Sequence, residues 1–391
     1  MKQKAPESQS IKVLHLDHSH EAGGAELALV RLVTAASNWS PSILLPRSES
    51  TDERVFEKAP RHVTRSNVGP AQTPGAASQG SFARFVRFVS QILGQAVAVR
   101  TSKEFRSAEV VHANTSRSGL YGALACLGTN KKLVLQLRDQ ITRESLGLLG
   151  QQAFARIALR RANGIISNSK STLETAMLLL GRREVPTAVI HSPIGIDRTE
   201  QDDPSLEPSP LRIAMIARID PWKGQSLLLE AFACAFPDGS EELLFAGGSL
   251  FGREEFLLSL RQEVVSRGLE DRVHFLGHVD DISQVLSRVD VCVQASTRPE
   301  PLGQNVLQYL AAGKAVVASN EGGPAEWISN GVNGLLVEAR DARALADALR
   351  RLSSDRDLLL KLQAEAPQTS GLLSDSEVAN AHGRVFAEVL K

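Results

Sequence analysis

The chain has little cysteine, no long apolar run and no surplus of either charge, and each shortage removes a class of protein. Its three cysteines in 391 residues, Cys126, Cys234 and Cys292, stand far apart in apolar segments without metal-ligand spacing. They are expected to be buried free thiols in a reducing compartment. No apolar stretch is long enough to cross a bilayer. The first residues, MKQKAPESQS, lack the apolar core of a signal peptide, so none is expected. Lys plus Arg equals Asp plus Glu at 44 each, but the balance is uneven along the chain: 26 against 16 up to residue 200, and 18 against 28 beyond it. A basic first half suits an anionic partner such as a membrane surface or a phosphorylated acceptor, and the two halves can also simply attract each other. The basic residues are not interleaved with aromatic stacking platforms, so a nucleic-acid partner is not expected.

What is present is alternation. At this length two domains are the default. In the first half IKVLHLD, PSILLP, VVHAN, KLVLQL, GIISNS and TAVIHS read as strands separated by helical patterns, which implies βαβ units on a parallel sheet. The aperiodic NVGPAQTPGAASQGS, residues 67–81, reads as a mobile loop. The acid- and proline-rich DRTEQDDPSLEPSP then breaks the pattern like a linker, and the alternation restarts at LRIAMIARI. The expected organisation is an N-terminal domain over 1–200, a linker over 201–210, a second domain over 211–370, and a final helix over 371–391 that can pack back on the first domain.

Several loops after strands carry residues suited to an anionic ligand. HSHEAGGAELALV places Gly23 and Gly24 before a helix start with free N–H groups. The third spaced glycine of the dinucleotide fingerprint is missing, so NAD is set aside. In ARIDPWKGQ, Arg218 and Lys223 flank a proline turn, and two converging cations could neutralise a diphosphate. FAGGSLFG supplies Gly247 and Gly248, and SNEGGPAEW supplies Gly322 and Gly323. In RPEPLGQNVLQYLAAG the two prolines keep Glu300 out of a helix that can begin only near Leu302 or Gly303, so this acid sits in a strand-to-helix loop. In open α/β sheets such loops are where ligands bind. Singly, each feature is also explained as an ordinary turn or a solvated charge; their succession along consecutive strands is what becomes specific.

That succession, from GGAE to NGLLVEARDARALADAL, resembles the retaining nucleotide-sugar glycosyltransferases of family 4. The resemblance implies an α/β chain of GT-B fold, two doubly wound Rossmann-like domains facing each other across a crevice, and a sugar moved from a nucleotide-diphosphate donor to a glycan, lipid-linked or other glycoconjugate acceptor in cell-surface polysaccharide synthesis. By it Arg218 and Lys223 would hold the diphosphate, Glu300 the sugar hydroxyls, and the backbone at Leu302, Gly303 and Gln304 the sugar or phosphate. Gly23 and Gly24 match the loop that closes on the donor, and Gly247 and Gly248 another close approach. Gln308 stands where the family's second acid usually binds ribose; it accepts a hydrogen bond but is neutral. Arg138 and Asp139 end the strand where relatives carry a His, and an Arg is no general base at neutral pH. With His112 and Asn114 they are candidate contacts to acceptor or sugar. No second carboxylate is evident as a nucleophile, so the resemblance implies same-face transfer in which the leaving diphosphate helps deprotonate the acceptor. No metal site and no cofactor are expected, and the place implied is the cytoplasm, peripheral at the inner membrane face.

The helix in SFARFVRFVSQILGQAVAVR spaces Phe82, Phe85, Phe88, Val89 and Ile92 helically with Arg84 and Arg87 among them. It is expected to cover one face of the sheet, with membrane contact beside that role. Two other readings stand against the transferase. A GT-B nucleotide-sugar epimerase would need catalytic acids and no acceptor. A degenerate binding protein would not need to keep Arg218, Lys223 and Glu300.

Overall fold

A computed structural model describes residues 10–21, 23–48, 55–72, 82–196, 210–249 and 252–391. The expected linker up to residue 209, most of the 67–81 loop, and the side chains of Phe82 and Arg84 lie outside the described residues. The chain divides into two compact units, one of Met1–Pro193 with Leu373–Lys391, the other of Ile194–Leu372.

The first unit is built on seven strands: β1 (Ile11–Leu16), β2 (Trp39–Leu45), β3 (Thr64–Asn67), β4 (Val110–Ala113), β5 (Lys132–Leu137), β6 (Gly164–Ser167) and β7 (Thr187–Val189). All pair in parallel, in the order β3-β2-β1-β4-β5-β6-β7. The second unit carries β8 (Arg212–Ile216), β9 (Glu242–Ala246), β10 (Val273–Gly277), β11 (Val291–Gln294), β12 (Ala315–Ser319) and β13 (Leu335–Val337), again parallel, in the order β10-β9-β8-β11-β12-β13. Both sheets are covered on two faces, which is why β4, β6, β11 and β12 are apolar or buried at every position. Each order reverses direction beside its first strand, at β1/β4 and at β8/β11. That is where the helices on either side diverge and leave room at the carboxyl ends.

The helix Asp375–Glu388 belongs to the first unit. A capping box starts it, with Ser374 Oγ accepting from Glu377 N at 3.3 Å and Glu377 Oε2 accepting from Ser374 N at 2.8 Å. Its Val378, Ala379, Val385 and Phe386 join Val13, Trp39 and Ile43 in one buried cluster, and Trp39 Nε1 donates to Ala379 O at 3.2 Å. On the opposite face Ile92, Ala96 and Val99 of the helix Phe82–Thr101 are buried with Phe88 packed against them, whereas Phe85 and Val89 are exposed. The core stripe is therefore narrower and later than the sequence pattern suggested, and Phe85, Val86, Val89, Leu93 and Val97 meet solvent instead. Cys126 and Cys292 are buried as expected, and Cys234 is exposed, on the solvent side of its helix, contrary to expectation.

Beneath the last helix lies a buried set of histidines. His15 Nδ1 is 2.9 Å from His112 Nδ1, and the Gln136 amide reaches His112 Nε2 at 3.4 Å and His382 Nε2 at 3.0 Å. His382 Nδ1 donates to Val378 O at 2.8 Å. In both contacts the Gln136 atom is Oε1. The three rings pack edge-on against Phe386, and His15 Nε2 is buried without a hydrogen-bond partner among the described residues. Burial pushes His15 down to about 3 and His382 to about 4, and holds His112 well below its ordinary value. The unfolded chain binds these protons below about pH 6.5 while the folded chain does not, so stability is lost as pH falls from there toward 4. By pH 5 the loss is on the order of 2 kcal/mol per histidine. Melting temperature should drop steeply between pH 7 and 5, and less steeply in His15→Leu; a flat profile in the parent chain would contradict the neutral cluster.

Candidate functional site

In the second unit the residues around the β8/β11 reversal come together. The turn after β8 is fixed at Gly224, whose φ of +83° and absent side chain let it lie against β11: a Cβ there would be 1.9 Å from Ala295 O. This close approach brings Lys223 to Glu300. Its Nζ forms an ion pair with Glu300 Oε1, the two side chains being only 18% and 7% exposed. Ser296 Oγ donates to the same carboxylate oxygen at 3.3 Å, and Lys223 lies 3.9 Å from the centre of the Trp222 ring. Arg218 lies 5.9 Å from that ring and pairs with the buried Asp220 at 3.5 Å, which also faces Arg253 at 3.8 Å. The two predicted cations thus arrive already matched with carboxylates, and Asp220, Arg253 and Ser296 are partners the sequence reading did not single out.

Glu300 is held from behind by the loop after β12. Gly323 N donates to Glu300 O at 2.7 Å, and Gly322 bridges Glu300 with φ +67°. Gly303, with φ +74°, caps the helix Gln304–Ala311. Leu302 is buried in the apolar core, where its carbonyl accepts from Trp327 Nε1 at 3.0 Å. Gln308 is half-buried on the helix, and its side chain has no hydrogen-bond partner among the described residues. Gly247, φ +146°, passes so close to Ala217 that a Cβ would lie 2.0 Å from its carbonyl oxygen, and Gly248 O accepts from Ile219 N at 3.0 Å. Tyr309 Oη accepts from Ile216 N at 2.8 Å and ties this helix to the end of β8.

The first unit has its own polar row. Asp17, Asn114, Arg138 and Asn168 are each the residue immediately after β1, β4, β5 and β6, four neighbouring strands. Asn114 Nδ2 donates to Asp17 Oδ2 at 2.5 Å, Arg138 donates from Nε and Nη2 to Asn114 Oδ1 at 2.9 and 2.7 Å, and Asn168 Nδ2 donates to Arg138 O at 2.9 Å. Arg138 also reaches Ser192 Oγ at 3.4 Å. Asp139 is exposed beside it. His112 is not with them: it lies two residues before Asn114, inside β4, and is fully buried in the histidine cluster.

Gly23 caps the helix Gly24–Thr34, and a Cβ there would meet Glu26 Oε2 at 2.4 Å, whereas nothing lies within 4 Å of one at Gly24. The room left by Gly23 holds the buried Glu26 carboxyl, pushed up to about 8 by burial and then by Asp17. So the chain does carry a carboxyl pair near a strand end, which the sequence reading missed, and with His18 it sets one possible ligand atom from each of three residues within 4.8 Å. Asp17 is already engaged, Oδ1 accepting from His18 N at 2.6 Å and Oδ2 from Asn114, and the Arg138 guanidinium joins the same network through Asn114. Asp17 and His18 are thus already held in hydrogen bonds.

Residues 197–369 match the family model for glycosyl transferases group 1, a stretch that lies within the second unit. The GGAE resemblance lies outside it. The chain is 28% identical over 233 residues to the lipopolysaccharide core biosynthesis glycosyltransferase LpsE of Rhizobium meliloti, covering 58% of this chain and 65% of that protein. It is 30% identical over 209 residues to the lipopolysaccharide core biosynthesis mannosyltransferase LpcC of Rhizobium leguminosarum bv. viciae, covering 52% of this chain and 58% of that one. The matched stretch therefore spans less than two thirds of each. Among solved structures, Anabaena Alr3699/HepE in complex with UDP and glucose aligns with a TM-score of 0.79 at 25% identity over 96% of this chain and 99% of that one. Sucrose-phosphate synthase of Thermosynechococcus elongatus aligns at 0.76 and 19% identity over 97% of this chain and 98% of that one, a likeness of fold alone. Two Rossmann-like domains of the GT-B class are thus the fold of this chain.

Two glycines provide a check on the geometry. In Gly322→Ala the new Cβ would fall 2.4 Å from Glu300 O at a positive φ, and a loss of about 1–3 kcal/mol is expected. Gly24→Ala, with open space around it, should melt at or slightly above the parent temperature. Equal melting temperatures for both would contradict the strapped loop.

Proposed function

We propose that the chain is a retaining glycosyltransferase that moves a sugar from a nucleotide-diphosphate donor to a glycan or lipid-linked acceptor in polysaccharide synthesis. The observation that carries this is the Lys223–Glu300 ion pair beside Arg218 and Asp220 at the β8/β11 reversal of a group 1 domain. UDP is the first donor base to try, because Alr3699/HepE has been solved with UDP and with UDP-glucose. The acceptor class is supported by relatives that act in lipopolysaccharide core biosynthesis.

In this reading Lys223 and Arg218 stabilise the charge that develops on the leaving diphosphate, and the start of the helix Gln304–Ala311 adds backbone N–H donors. Glu300, paired with Lys223, accepts hydrogen bonds from sugar hydroxyls and sets the ring's orientation. The acceptor hydroxyl loses its proton to an oxygen of the departing diphosphate on the same face, so configuration is retained. Two side-chain cations carry the role a divalent ion would otherwise fill, so the proposed reaction needs neither metal nor other cofactor. Gln308 would accept from ribose through its amide oxygen. Arg138, fixed on Asn114, is the first-unit contact proposed for an anionic acceptor. Among the described residues no helix is long and apolar enough to cross a membrane. The exposed Val86, Val89, Leu93 and Val97 stripe with Arg87 is the proposed site of peripheral contact at an anionic bilayer, on the cytoplasmic side.

UDP should raise the melting temperature of the parent chain, and Lys223→Ala should abolish the rise. With a working donor and acceptor, Lys223→Ala and Glu300→Ala should each lower kcat/KM by about tenfold or more. Turnover near the parent value in both would refute the site. Binding without transfer would point to a degenerate binding protein, and release of a free 2-epimer to an epimerase. Leu93→Glu with Val97→Glu should reduce co-sedimentation with anionic vesicles and leave the melting temperature unchanged; undiminished sedimentation would remove the membrane contact.

A further inference from the structure

Among the described residues Arg340 is the single non-glycine with a positive φ, +65°. L side chains avoid that region, and those that adopt it are held there by their surroundings. Arg340 follows β13 and stands just before Asp341, whose carboxylate caps the helix Ala342–Ser354. Its guanidinium grips Glu321 with both prongs of the fork, Nη1 to Oε2 at 2.8 Å and Nη2 to Oε1, and Nη1 also donates to Thr297 O at 3.1 Å. The fork holds the Glu321 carboxyl below the usual carboxylate range. The two side chains are 50% and 30% exposed, and ion pairs so open to solvent contribute little to stability. Stability therefore does not account for an arginine in a strained backbone.

Position does. Glu321 immediately precedes Gly322 and Gly323, the two residues that bridge and bond the Glu300 backbone. Thr297 lies three residues before Glu300 in the other loop, and its own N–H donates to Trp222 O at 2.8 Å, beside Lys223. One guanidinium thus joins both segments that decide where the Glu300 carboxylate points.

We propose that Arg340 is a positioning residue of the nucleotide-sugar site: by clasping Glu321 and Thr297 O it locks the two loops that present Glu300, and its left-handed backbone is tolerated for that purpose. The inference rests on reading this site as the donor site. The left-handed backbone supplies an unusual test, because Arg340→Gly relieves strain while removing the clasp. Its melting temperature should equal or exceed that of the parent, while the dissociation constant for UDP or a UDP-sugar rises about fivefold or more, an effect on KM larger than that on kcat. Glu321→Gln should weaken binding similarly, the double variant should be no weaker than the worse single, and Arg340→Lys should recover part of the loss. Unchanged affinity in Arg340→Gly, additive losses in the double variant, or a melting temperature that falls in step with affinity would each overturn the clasp. A parent chain that binds neither UDP nor a UDP-sugar would bring down the donor-site reading and the clasp with it, whereas a parent that binds and an Arg340→Gly that binds equally well removes the clasp alone.

Discussion

The reversal of strand order beside the first strand of each sheet is the constraint on which the rest depends. A parallel sheet covered on both faces has no room for charge in its interior, so polar groups are displaced to its edges. At β8/β11 the flanking helices part, and the residues that follow these strands gain a place where they are sheltered yet not enclosed. Lys223 and Glu300 occupy that place. A carboxylate as shielded as Glu300 is costly to leave ionised alone, and the ammonium beside it offsets this only because their loops hold the two at contact.

Glycine gives the edge its stiffness by letting backbone lie against backbone. Gly224 against Ala295, Gly247 against Ala217 and Gly322 against Glu300 are contacts that a methyl group would break. Each pins the end of one strand to the loop of its neighbour. The chain thereby ties the charged cluster to the strand ends. The first unit reaches the same end with side chains: Asp17, Asn114, Arg138 and Asn168 are laced across four strand ends.

Much of this was legible in the sequence, and the parts that were not have a common cause. Alternating apolar runs announced the strands, and the proline pair around Glu300 placed that residue in a loop ahead of its helix. Arg218 and Lys223 were visible because two cations and a proline sit at a strand end. Their carboxylate partners were not: Asp220 is one acid among many until the fold brings Arg218 and Arg253 to it. Periodicity could not tell how deep in the strand a residue lies, so His112 was taken with Asn114, although His112 sits within β4 among buried histidines and Asn114 follows its end. The signal for the first-unit row was present, since a polar residue directly follows each of four apolar runs. An ambiguity of face placed Phe85 and Val89 in a core to which Phe88, Ile92, Ala96 and Val99 belong. Arg340 looked like an ordinary surface arginine because neither its φ nor its hold on Glu321 is written in local sequence.

The helix Asp375–Glu388 closes a unit whose other elements were made before the whole of the second unit. During synthesis the Ile194–Leu372 unit has all of its residues in hand first, while Val13, Trp39, His15 and Gln136 wait for partners that emerge more than two hundred residues later. The ribosome thus delivers the second unit ready to fold and leaves an apolar face of its companion open until the final helix arrives. A chaperone that shields that face, or a premature stop that removes the helix, would act on the first unit alone.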